Sequence, residues 1–81
     1  MVSCHQTDYV EIACMYRYPV KLTLKSGQEV FGTALDTKWN ASKEECIEIQ
    51  TGDTIELVLL EVVSKLEVQI DNPHFSHIDF D

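Results

Sequence analysis

Residues 7–25 read TDYVEIACMYRYPVKLTLK, and the hydrophobic period changes in the middle of this stretch. Tyr9, Ile12, Ala13 and Tyr16 fall at i, i+3, i+4 and i+7, the spacing that gathers side chains on one side of an α-helix. Asp8 is placed to cap that helix, and Glu11 three residues later can reach back to the cap backbone. Asp8, Glu11 and Met15 lie off the apolar–aromatic stripe and are expected to face outward or sideways. Pro19 disfavours helical geometry at Tyr18, so the helix is predicted over about 8–17. Val20, Leu22 and Leu24 then alternate with Lys21, Thr23 and Lys25, the period of a strand. A lone helix of two to three turns is marginal in water. It must therefore lie on the sheet that follows.

The remaining chain supplies that sheet. Ser26-Gly27-Gln28 is a turn signal. The run after it, 29–37, puts Val30, Gly32 and Ala34 on one side and Phe31, Thr33 and Leu35 on the other, as for a strand covered on both faces. Gly32 in mid-strand marks a bend or a close backbone approach, read here as a corner where the sheet folds over. Asp36 to Glu44, DTKWNASKE, reads as an exposed loop. Ile47 and Ile49 point inward from the next strand, and Thr51-Gly52-Asp53-Thr54 makes a hairpin turn. In the fourth strand Ile55, Leu57 and Leu59 are expected inward, with Glu56 and Val58 outward. Residues 60–63 are one helical turn or a kinked connection. A fifth strand over 64–70 places Leu66, Val68 and Ile70 inward. After the break at Asp71-Asn72-Pro73, Ser76, Ile78 and Phe80 allow a short edge strand. The fold class is thus mainly β: one N-terminal helix on a strongly bent antiparallel sheet of five or six strands, closing toward a small barrel.

Eighty-one residues allow one small domain with one core. No apolar run is long enough for a transmembrane helix, and the opening MVSCHQTD lacks the basic start and apolar run of a signal peptide. A cytoplasmic location is the expectation. Cys4, Cys14 and Cys46 form an odd set without a CxxC pair, so reduced thiols are expected, Cys14 and Cys46 as small core residues. Fourteen acids against six bases give a net charge of −8. Binding a phosphate backbone needs Lys and Arg to displace counterions, and Arg17, Lys21 and Lys25 are too few for that. The field instead favours a positively charged partner.

Enzyme signatures are absent: the sequence has no GxSxG, P-loop or GxGxxG. Adjacent Cys4 and His5 do not make a positioned nucleophile–base pair. Cys4, His5, His74 and His77 could meet only if the termini are neighbours. His74 and His77, three apart, fall on opposite faces of a strand, and a structural zinc site shows tighter ligand pairs. No metal and no cofactor is implied.

Two patches remain. Glu48, Glu56, Glu61 and Glu67 sit at outward positions, where charge serves solubility and edge protection. Asp8 and Glu11 neighbour Tyr9 and Met15, so they can pair with a partner's basic residues while the ring and thioether supply contact area. The second patch is Lys38-Trp39-Asn40, with Trp39 expected tucked toward the core and Lys38 and Asn40 exposed.

Asp8-Tyr9, Glu11-Ile12-Ala13-Cys14, Leu22-Thr23-Leu24 with Lys25 and Gly27, and Gly32-Thr33-Ala34 resemble the Rho-binding antiterminator family, Rof. The resemblance runs from about Cys4 to Phe80. It implies an Sm-like fold, with the helix on a bent five-stranded sheet. It also implies an inhibitor that binds the hexameric termination factor Rho at the basic RNA-binding surface of its N-terminal domain, blocks attachment to RNA, and acts as a monomer. By resemblance the contact is the helix around Asp8, Tyr9 and Glu11, with Lys38 and Asn40 aiding, and Met15 joins it as their exposed neighbour. Lys25-Ser26-Gly27 followed by Val30 and Gly32 also resembles the hairpin of RNA-binding Sm-like proteins. That supplies an alternative, a ring-forming RNA-binding subunit, against which the acidic balance weighs. A structural subunit whose sheet edges pair with another chain is a third.

Overall fold

The computed structural model describes residues 4–73 and 75–80, without the side chains of Cys4, His5 and Thr7. A helix, α1 (Cys4–Met15), precedes β1 (Pro19–Leu24), β2 (Glu29–Trp39), β3 (Glu45–Thr51), β4 (Thr54–Leu59), β5 (Val63–Val68) and β6 (His77–Asp79), with a 3-10 turn at Leu60–Val62. The strands form one antiparallel sheet in the order β4-β3-β2-β1-β5-β6. The mainly β architecture with one helix is the expected one. The sheet has six strands rather than five, and it stays open between β4 and β6 instead of closing into a barrel.

The helix differs from its sequence reading in two ways. It begins at Cys4, so Asp8 lies in its second turn and is not a cap, and the capping box with Glu11 does not form. The Gln6 side-chain amide donates to the Asp79 carbonyl at 2.8 Å, which anchors the early turn on β6. The buried face is Val10, Ala13 and Cys14, about one residue around from the predicted stripe. Only Ala13 belongs to both. Small side chains let the helix backbone approach the sheet closely, whereas tyrosines with polar tips stay at its rim. Tyr9 accordingly packs beside Phe75, ring centroids 5.1 Å apart, and Tyr16 stacks on Tyr18 at 5.6 Å.

The helix ends where Pro19 requires, through a Schellman turn. Arg17 takes a left-handed φ of 54°, Tyr18 N–H donates to the Ala13 carbonyl at 2.9 Å, and Arg17 N–H to that of Cys14 at 3.2 Å. The chain then enters β1, the central strand between β2 and β5.

Register explains the core. Val30, Leu22, Leu66 and Ile78 stand side by side across β2, β1, β5 and β6. Facing pairs share a side of the sheet, and this row joins Val20, Ala34, Ile47, Ile49, Val58, Leu60 and Val63 in one buried cluster under α1. Cys14 and Cys46 are buried free thiols, as expected. Gly32 is where the backbones come closest: a Cβ built there would lie 2.5 Å from the Gln50 carbonyl oxygen and 2.5 Å from Ile49 Cγ2. That is the close approach its mid-strand position predicted.

Five further expectations are corrected. β2 runs on to Trp39, so residues 36–39 are strand and the loop is confined to 40–44. Its ladder with β3 satisfies backbone groups whatever the polarity of the side chains. Trp39 is not tucked on the core but 68% exposed, because beyond Ala34 the β2–β3 hairpin is no longer flanked by β1. In β4 the faces are exchanged: Val58 opposes Ile47 and is buried, while Ile55 and Leu57 are 58% and 49% exposed. Ile70 is exposed past the end of β5, and Phe31 leaves the outer side of β2 open.

Candidate partner-binding face

Asp8, Tyr9, Glu11 and Met15 all lie on the exposed side of α1, and Met15 is 71% exposed. The helix is held at both ends, by Gln6 on β6 and by the Schellman turn above β1, so these side chains project from a fixed support. Met15 is a polarizable, adaptable contact side chain. Exposed beside carboxylates, it makes a surface that can pair charge and bury area together.

Lys38 and Asn40 belong to a separate part of the molecule, the far end of the β2–β3 hairpin. Lys38 Nζ lies 3.0 Å from Glu48 Oε2, an ion pair across the two strands. Asn40 is half-buried and holds its own loop: its Oδ1 accepts from the N–H groups of Ser42 and Glu44, both at 2.9 Å. Its Nδ2 donates to Glu44 Oε1 at 3.2 Å. Asn40 therefore shapes the loop that follows Lys38 and Trp39.

Between α1 and β2 is a cavity of about 410 Å³, lined by Glu11, Cys14, Met15, Arg17, Leu35 and Asp36 among others. Leu35 and Asp36 reach it because the β2–β3 register slips between Ala34 and Asp36, a bulge that re-aims the strand. Sequence reasoning gives Asp36 no role. The only signal for it is the adjacent pair Ala34-Leu35, which interrupts the alternation. Burial pushes the Cys14 thiol up to about 12, followed in effect by the charges of Asp36 and Glu11, with Arg17 pulling the other way. The thiol is therefore protonated and unreactive near neutrality.

On the outer face of the sheet Lys21 Nζ pairs with Glu29 Oε2 at 2.9 Å and lies 3.5 Å from Glu67 Oε1. Its ammonium is held above the usual lysine range, first by the hydrogen bond to Glu29 and then by that residue's charge. Two of the six basic residues, Lys21 and Lys38, are thus neutralised by neighbouring carboxylates. Among the described residues no group of three or more His, Cys, Asp and Glu is arranged to hold a metal ion. The side chains of Cys4, His5 and His74, which with His77 could meet only if the termini are neighbours, lie outside the described residues. No helix among them is long and apolar enough to cross a membrane.

The chain is thus an acidic, mainly β protein with one docked helix and an exposed carboxylate–thioether face. The family model for modulators of Rho-dependent transcription termination (ROF) matches residues 1–80, and the chain belongs to that family. Its function is modulation of Rho-dependent transcription termination. A solved structure described as YaeO bound to magnesium, from Vibrio cholerae O395, is 42% identical. The similarity covers 91% of this chain and 96% of that one, with a TM-score of 0.86. No curated protein matches.

Proposed function

We propose that this protein acts by direct contact: one domain spanning residues 1–81, monomeric and cytoplasmic, binds the Rho hexamer at the basic RNA-binding surface of its N-terminal domain. Occupying that surface blocks RNA binding and gives antitermination, without catalysis and without a cofactor. The observation that carries the reading is the exposed helix face, where Asp8 and Glu11 stand beside Tyr9 and Met15 on a chain of net charge −8. An RNA-loading surface is basic, and an acidic module is steered to it. Lys38 and Asn40, at the hairpin end, form the second part of the contact.

The RNA-binding ring is less well supported. Lys21 and Lys38 are already paired with carboxylates, which leaves little to neutralise phosphates.

The reading is tested by replacing Asp8 and Glu11 together with Lys. Release of labelled RNA from Rho, followed by fluorescence anisotropy, is expected to be lost while the circular dichroism spectrum is unchanged. Undiminished release by the double variant would remove the helix from the interface. The unaltered protein should not bind the RNA directly. Its association with Rho should weaken with salt, since screening acts over about 10 Å at 0.1 M.

A further inference from the structure

The cavity between α1 and the β2 bulge has the chemistry of a socket. Its walls combine the Met15 thioether and the Leu35 side chain with the carboxylates of Glu11 and Asp36. We infer that it receives one long cationic side chain, an arginine or lysine, from the protein partner, the aliphatic stem lying along Met15 and Leu35 and the charged head drawn to Glu11 and Asp36. This rests on the partner reading above, and it adds to that reading a β2 residue, Asp36.

Three observations support it. The cavity is continuous with the exposed helix face, because Glu11 and Met15 belong to both. An extended side chain with an apolar stem and a charged tip matches a site with apolar and anionic walls, as such side chains bury stem and head separately. The local field has the right sign: Asp36 and Glu11 each act on the buried Cys14 thiol more strongly than Arg17 does. Arg17 sits on the cavity wall as an opposing charge. It lowers the attraction for an incoming cation and sets up substitutions of opposite outcome.

The experiment compares the affinity of the Rho hexamer for the unaltered protein and for Asp36→Asn, Arg17→Gln and Asp53→Asn at fixed moderate salt. Asn at 36 keeps an Oδ1 that can accept the Thr37 N–H, now at 2.8 Å from the Asp36 oxygen. Asp53, exposed on the β3–β4 turn, controls for net charge. Asp36→Asn is expected to weaken association by about tenfold and Arg17→Gln to tighten it by about threefold, with Asp53→Asn within about twofold. If the unaltered protein does not bind Rho, the partner reading and the socket both fall. If it binds and Asp36→Asn binds equally well, the socket alone falls. A weakened Asp36→Asn with an equally weakened Arg17→Gln would also overturn the socket, since loss in both directions of charge is a packing effect.

Discussion

β1 and β4 carry the same alternating rhythm, PVKLTL against TIELVL, and meet opposite fates. In β1 the residues Val20 and Leu22 are buried and Lys21 turns outward, as the alternation implies. In β4 the residues Ile55 and Leu57 are exposed and Val58 is buried. The difference is position in the sheet. β1 is paired on both sides, by β2 and β5, whereas β4 is an edge paired only with β3. Alternation therefore reports that a strand has two faces. The neighbour's register decides which face is the inner one, and a slip of one residue exchanges them.

The largest effect expected from breaking this contrast comes from the same substitution at the two sites. Leu22→Ala removes a fully buried side chain from the central row and should cost about 2–5 kcal/mol. Leu57→Ala on the edge should cost less than about 1 kcal/mol. Urea unfolding measures both, and equal losses would refute the inversion of β4. Next is Gly32→Ala, where β2 pairing passes from β1 to β3. The new methyl group would meet the Gln50 backbone carbonyl, which cannot swing aside as a side-chain tip can. An overpacking loss of about 1–3 kcal/mol is expected in the same assay, and an unchanged midpoint would show that this close approach has room to spare.

The helix packs chiefly on β2 and brings Cys14 into the core, away from the β4 edge. The Cys14 thiol titrates near 9.0 when unfolded and is pushed to about 12 when folded. The native state therefore holds its proton more tightly. The stability this contributes is fully present below pH 9.0 and is lost as the pH rises toward 12. The slope approaches about 1.4 kcal/mol per pH unit. Cys14→Ala, whose stability should fall less steeply across that window, isolates the contribution in parallel denaturation curves. Equal slopes would mean that the thiol is not held neutral by its packing.

These contrasts also show why some of the molecule could be read from its residues and some could not. The end of the helix, the turns at Gly27 and Gly52, the close approach at Gly32 and the core thiols all rest on local chemistry: a ring at Pro19, missing Cβ atoms, small apolar side chains. The exposed acidic face of α1 was legible too, because Asp8 and Glu11 are charged whichever way the helix turns. The start of α1 was not, since it depends on Gln6 meeting β6, which follows more than seventy positions later. Nor was the exposure of Trp39, which follows from where β1 stops flanking β2. The cavity beside Asp36 is hidden for the same reason, as a bulge needs a partner strand to exist.

What the chain encodes locally, then, is a short helix breaking at Pro19, a succession of alternating strands and an excess of fourteen acids over six bases that suits a basic partner. Side-chain sterics and charge act at short range along the chain, so these features need no knowledge of distant neighbours. The rotation of α1 onto Val10, Ala13 and Cys14, the exchange of faces in β4, and the meeting of Glu11 with Leu35 and Asp36 around one cavity came from packing. Each depends on which of two energetically similar local arrangements buries more apolar surface against the rest of the molecule, and that is a property of the assembled fold.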